Sequence, residues 1–251
     1  MTSRHIGMIV PSSNRTMETE IPRMLSDRLT VRPDEEFVFH SSRMRMKHVN
    51  PEELKAMNAQ TGRAAAELAD LRPDAMASAC LVAIMAQGTG YHCVAEKEMQ
   101  QALTDQEVDA PVVSSAGALI RALTALGARR VVMVTPYARP LTELVAQYVE
   151  DAGFTVLDTI SLEVTDNIAV SELDPDDLLT HWKNLDGLDE ADVLVLSACV
   201  QMPSLAAIQA VEDEYGKPVI SAATATTWAL LKDLGLDTVV PDAGSLLSGA
   251  Y

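Results

Sequence analysis

Aromatic residues are scarce. They make up 4% of the 251 residues, so a core must be built from Ala, Val, Leu, Ile and Met, and the 48% hydrophobic content is enough for a sizeable one. Positive charge is also in short supply: 19 Lys and Arg stand against 36 Asp and Glu, a net charge of −17. Such a balance repels nucleic acid and anionic lipid surfaces, and no basic run tracks a phosphate backbone. An anionic ligand would have to be attracted locally, by backbone N–H groups and helix N-termini. Cysteine is nearly absent. Three thiols, Cys80, Cys93 and Cys199, do not make a disulfide framework. No apolar run reaches the length of a membrane span. The opening stretch M-T-S-R-H-I-G-M-I-V-P is cut by Pro11 too early for a signal-peptide core, so a reducing cytoplasm is expected. Linkers and low-complexity segments are missing. The five histidines make no metal-ligand spacing, so no metal site is expected. Gly88-Thr89-Gly90 lacks the rest of a dinucleotide fingerprint, so no nucleotide cofactor is expected either.

What is present is an alternation of strands and helices, the pattern of a parallel α/β sheet. It occurs twice. H-I-G-M-I-V-P (5–11) is matched by R-V-V-M-V-T-P (130–136), each a continuous apolar run closed by proline, as in buried parallel strands. D-A-M-A-S-A-C-L-V (74–82) is matched by D-V-L-V-L-S-A-C-V (192–200), and P-V-V-S-S-A-G-A-L (111–119) by P-V-I-S-A-A-T-A-T (218–226). Three matched blocks in one order indicate an internal duplication. The expected fold is α/β, with two pseudo-twofold-related, Rossmann-like parallel-sheet halves. Residues 1–113 with 221–251 would form the first half and 114–220 the second, the last helix crossing back. Asn50-Pro51 and Asp174-Pro175 read as helix starts, Pro140 opens a further helix, and Gly127 and Gly153 close helices.

Ligands of open parallel sheets bind beyond the carboxyl ends of the strands. Cys80 and Cys199 both sit there, and the duplication would face them across one cleft. A lone cysteine in an apolar strand is ordinarily a buried structural thiol. Two at equivalent repeat positions, each after Ser-Ala, point instead to paired chemistry; Cys93 has no repeat partner and is assigned to structure. A thiolate is a nucleophile and base, a thiol a proton donor, and a helix N-terminus can lower the thiol's ionisation point. Ser12, Ser13 and Asn14 after the first strand, and Tyr137 after its equivalent, supply polar groups nearby, the former also as a turn and helix cap. Arg43, Arg45 and Lys47 read as a solvated face, as local attraction for a dianion or as a subunit contact. Asn167 reads on its own as a turn residue.

Several blocks resemble one family: P-S-S-N-R-T-M-E-T-E-I-P (11–22), F-H-S-S-R-M-R-M (39–46), A-C-L-V-A-I-M-A (79–86), P-Y-A-R-P-L-T-E-L (136–144), D-N-I-A-V (166–170) and L-S-A-C-V-Q-M (196–202) are similar to the maleate cis–trans isomerases of the Asp/Glu racemase superfamily, relatives of arylmalonate decarboxylase. The likeness runs to the terminal L-L-S-G-A-Y. It implies an active site in the cleft between the halves and isomerisation of maleate to fumarate without a cofactor. Cys80 would be the nucleophile and Cys199 the proton donor and acceptor. Asn14, Tyr137 and Asn167 would bind the carboxylates, with backbone groups around Leu81, Val82, Val200 and Gln201. A homodimer is also implied. Two other readings of the same residues stay open: a racemase of small amino or hydroxy acids using two thiols, and a dicarboxylate-binding protein with no turnover.

Overall fold

A computed structural model describes residues 2–251. The strands are β1 (Thr2–Pro11), β2 (Glu35–Met44), β3 (Ala75–Ser78), β4 (Val112–Ser114), β5 (Arg130–Thr135), β6 (Thr155–Ser161), β7 (Val193–Ser197) and β8 (Val219–Ser221). The helices are α1 (Met17–Asp27), α2 (Pro51–Asn58), α3 (Thr61–Ala69), α4 (Leu81–Met85), α5 (Tyr91–Thr104), α6 (Ser115–Ala125), α7 (Arg139–Asp151), α8 (Asn167–Ser171), α9 (Leu178–His181), α10 (Leu205–Tyr215) and α11 (Ala222–Asp233). The strands form two parallel four-stranded sheets of the same order, β2-β1-β3-β4 and β6-β5-β7-β8. Among the described residues no helix is long and apolar enough to cross a membrane.

The duplication is visible down to single hydrogen bonds. Asp74 N–H donates to the His5 carbonyl and Asp192 N–H to the Arg130 carbonyl, both at 2.8 Å. The Asp74 carboxylate accepts from His5 N–H, and that of Asp192 from Arg129 and Arg130 N–H. At the other end of the strands, Ala79 N–H reaches the Ile9 carbonyl and Ala198 N–H the Val134 carbonyl. The serines that end β4 and β8 do the same work. Ser114 accepts from Gly117 N–H and Ser221 from Thr224 N–H, each capping the helix that follows.

Continuous apolar runs become central strands because both faces are covered. Ile6, Met8, Ile9 and Val10 of β1 and Val131 to Val134 of β5 are buried. Gly7 on β1 lets Leu68 of α3 come within 3.4 Å of where a Cβ would stand. The strand β2, like its counterpart β6, lies outside the three matched blocks. It is an edge strand, half-buried along most of its length, and E-E-F-V-F-H-S-S-R-M has no clean period to announce it. The predicted helix ends are present: Asn50 accepts from Glu53 N–H at the start of α2, and Asp174 caps a short 3₁₀ turn. Helix α11 lies against α1 and α6 and reaches β3 and β4 of the first sheet as well as β8 of its own.

Candidate active site

Both Ser-Ala-Cys tripeptides end a strand, and both cysteines line one cavity between the sheets with Pro11, Asn14, Met46, Val49, Leu81, Val82, Tyr137, Asn167, Val200 and Gln201. The nine site residues that the resemblance implied therefore meet in one place, whereas the Ser12 and Ser13 hydroxyls donate to the Met46 carbonyl beside it. Pro11, Met46 and Val49 also line it and were not foreseen. Met46 and Val49 come from the segment after β2, the strand the sequence pattern hides. The cavity volume is about 20 Å³, room for roughly one water molecule. Admission of a dicarboxylate therefore requires the cleft to open. The segment carrying Met46 and Val49 is tied across it by an antiparallel bridge between His48 and Asp166.

The two cysteines are held differently. Cys80 lies at the N-cap of α4 with φ 74° and ψ 66°, a left-handed conformation that costs a non-glycine residue about 1–3 kcal/mol. The surrounding structure imposes that geometry, with Ala79 bonded to β1 and Leu81 to Met85 all buried. Cys199 is not among the residues with positive φ. Its sulfur accepts from Gln201 N–H at 3.4 Å, and Ser197 Oγ donates to the Cys199 carbonyl at 2.9 Å, fixing the turn.

Both thiols are buried, at 8% and 7% exposure. A helix N-terminus can lower a thiol's ionisation point, but here desolvation outweighs it. Burial pushes the Cys80 thiol up to about 12; the Ala83 N–H opposes this, and the neighbouring Cys199 adds to it. Burial likewise raises Cys199, against the lowering effects of the Tyr137 hydroxyl and the Gln201 and Met202 N–H groups. Tyr137 is raised well above its ordinary value by burial and by both sulfurs, so it stays a neutral phenol. Its hydroxyl donates to the Ala198 carbonyl at 3.2 Å beside the Cys199 sulfur.

The polar groups around the thiols divide into ligand candidates and braces. Asn14 Oδ1 accepts from Thr16 N–H at 3.1 Å and Met17 N–H at 2.9 Å, so its oxygen caps α1. Among the described residues its amide nitrogen has no partner. Asn167, the first residue of α8, donates from Nδ2 to Ser13 Oγ at 2.8 Å. The Gln201 side chain is used up: it accepts from Arg15 N–H and donates to the Ser13 and Asn167 carbonyls, stapling three loops together. The N–H groups of Leu81 and Val82 belong to the first turn of α4, where donors lack intrahelical partners. Among the described residues the lining contains no Lys, Arg or His. Arg43, read from the sequence as a possible anion attractor, pairs with Glu18 and donates to the Ser12 and Asn14 carbonyls, bracing the turn from outside.

A duplicated α/β fold with one strand-end cysteine from each half on a shared cavity defines a two-thiol α/β enzyme scaffold. The comparisons narrow this further. Residues 6–247 match the arylmalonate decarboxylase family. A maleate isomerase of Alcaligenes faecalis is 56% identical over 249 residues, 99% of this chain and 98% of its own. The crystal structure of the maleate isomerase Iso from Pseudomonas putida S16 with maleate, carrying a Cys-to-Ala substitution, superposes with a TM-score of 0.98. It is 52% identical and covers 100% of this chain and 99% of its own. A Cys-to-Ser mutant of the Nocardia farcinica maleate cis–trans isomerase with a covalently bound succinylcysteine intermediate gives a TM-score of 0.95 at 47% identity, with 100% of both chains covered. The chain belongs to the arylmalonate decarboxylase family, among its maleate isomerases.

Proposed function

We propose that this protein is a maleate isomerase, converting maleate to fumarate through a succinyl-cysteine intermediate on Cys80. The observation that carries this reading is the pair of buried cysteines, one from each half, on one cavity. Relatives of 49–56% identity along the whole chain are maleate isomerases, and the related Nocardia enzyme holds a succinylcysteine.

The steps follow from the groups available. Cys80 must become a thiolate, and burial makes that costly. With no cationic side chain on the lining, the thiol's proton passes most economically to the nearer carboxylate of the bound dianion, which leaves the net charge of the closed site unchanged. The sulfur adds to one alkene carbon. Electron density moves onto the neighbouring carbon and its carboxylate, where the first-turn N–H groups of α4, the Asn14 amide and the Tyr137 hydroxyl can stabilise an enediolate. Cys199 gives its proton to that carbon, leaving a single bond about which the carboxylates rotate. The Cys199 thiolate then takes a proton back from the same carbon, the C–S bond breaks, and fumarate leaves as the Cys80 thiolate recovers its proton. Covalent addition replaces rotation about a double bond with one addition and one elimination, each of lower barrier.

Proton NMR of maleate with purified, reduced protein and no additive tests this. A growing fumarate signal supports it, and unchanged maleate with folded protein and free thiols refutes the substrate assignment. Solvent deuterium entering a chiral acid without cis–trans conversion would favour a racemase instead. A homodimer and a cytoplasmic location belong to the same proposal. Light scattering checks the assembly, and fractionation of the source cells checks the location.

A further inference from the structure

Glu20 closes the motif P-S-S-N-R-T-M-E-T-E and takes no part in the steps above. It lies on α1, in the first half, yet its partners are in the second. Its Oε1 accepts from Ser204 N–H at 2.6 Å and from Leu205 N–H at 2.7 Å, and Ser204 Oγ approaches Oε2 at 3.4 Å. It thereby caps α10 from across the domain boundary. The residue is 8% exposed. Burying a carboxylate costs free energy unless its oxygens are hydrogen-bonded, and here donors of the second half supply those bonds.

The chain between Cys199 and α10 is short: Cys199-Val200-Gln201-Met202-Pro203-Ser204. Glu20 fixes one end of it. Two more groups from the same region of the first half fix its middle, with Thr16 Oγ1 donating to the Gln201 carbonyl at 2.7 Å and Arg15 N–H donating to Gln201 Oε1 at 2.9 Å. From that same middle residue, Gln201 N–H donates back to the Cys199 sulfur. We infer that Glu20 is a positioning residue for Cys199, holding the Gln201–Leu205 strap from the opposite half so that its N–H donor stays on the sulfur that handles the proton. This rests on the reading of Cys199 as the proton donor.

The charge of Glu20 matters as well as its shape. It contributes to raising Cys199, which favours the protonated thiol that a donor needs between turnovers. Burial raises Glu20 itself, while the Leu205 and Ser204 N–H groups and the Ser204 hydroxyl oppose this. The other titratable groups around it are few. Arg23 and Asp27, on its own helix, pair with each other at the surface, and both line, with Asp242, a groove that Glu20 also lines. The titratable groups whose charge or hydrogen bonds act on Cys199 are Cys80, Tyr137 and, through space, Glu20.

Two variants separate clamp from charge. Glu20→Ala removes both, and a misplaced proton donor should lower kcat roughly tenfold or more with a much smaller change in KM. Glu20→Gln keeps an oxygen for the two N–H groups and removes the charge. It should retain most of kcat, while Cys199, followed peptide by peptide with iodoacetamide, should alkylate several-fold faster at alkaline pH because its thiol ionises more readily. Wild-type kcat in Glu20→Ala overturns the inference. If that variant does not fold, Glu20→Gln decides: an unchanged or slower pH-dependent alkylation of Cys199 overturns it. Failure of wild-type protein to convert maleate would strike the proposed function and leave the alkylation result to be judged by itself.

Discussion

Cys80 should be almost unreactive in the free protein at neutral pH. Its thiol is pushed up to about 12 from an ordinary value of 9.0, which corresponds to roughly 4 kcal/mol of extra cost for the thiolate. At pH 8 about one Cys80 in ten thousand would be ionised, against about one in ten for an unperturbed thiol, a deficit of about a thousandfold. Restricted access slows alkylation at every pH, so the diagnostic quantity is the slope with pH. The Cys80 rate should keep rising about tenfold per pH unit through pH 10. Cys93 is exposed on α5 and serves as the internal reference for reagent strength. Iodoacetamide labelling from pH 7 to 10, resolved by peptide mass spectrometry, gives both rates from one sample. A plateau of the Cys80 rate near pH 8 would mean that the empty site already holds a thiolate and that desolvation does not dominate there.

Other perturbations reach different parts of the molecule. Tyr137→Phe removes the hydroxyl beside Cys199 and its bond to the Ala198 carbonyl, so kcat for maleate should fall about 10- to 100-fold with little loss of stability; an unchanged kcat would remove Tyr137 from the chemistry. Arg28 is fully buried, donating to Glu35 at 2.7 and 2.9 Å, to Asp237 at 2.8 Å and to the Val239 carbonyl. Arg28→Met should cost about 3 kcal/mol and lower Tm by roughly 6–12 °C; a variant as stable as the parent in calorimetry would show that the network is energetically idle. Acid should destabilise the fold through the carboxylates whose ionisation is depressed. Asp192 is held down chiefly by Arg130 N–H, and Asp237 by Arg32 and Arg28 against an opposing effect of burial. Because the folded state releases those protons more readily than the unfolded chain, their contribution is complete above the ordinary aspartate value of 3.8. It fades as pH falls through the depressed folded values, and stability curves between pH 5 and 2 should show that decline.

The sequence discloses the repeat because buried parallel strands and their terminal caps tolerate little variation in residue type. Asp74 and Asp192, Ser114 and Ser221, and the two Ser-Ala-Cys ends each perform one task twice, so their spacing is a direct record of the fold. Once the halves are paired, the two cysteines must face one cleft. Edge features leave a weaker trace. The strand β2 is wet on one side, and the cavity residues Met46 and Val49 that follow it look like ordinary loop residues. Glu20 is invisible for another reason: a glutamate in the first turn of α1 reads as a surface residue favoured by the helix dipole, and only tertiary structure shows it capping a helix of the other half. The direction of the thiol ionisation was likewise beyond the sequence, because it depends on how completely the cleft excludes water.

The covalent step can be reached by quenching a Cys199→Ser variant after incubation with maleate and mapping its peptides by mass spectrometry. A serine hydroxyl is too weak a base to take the carbon-bound proton back, so the adduct should accumulate. The predicted result is a mass gain equal to one maleic acid on the peptide containing Cys80, absent from that containing Cys93. An unmodified Cys80, in a variant that is folded and whose parent converts maleate to fumarate, would contradict nucleophilic attack by Cys80.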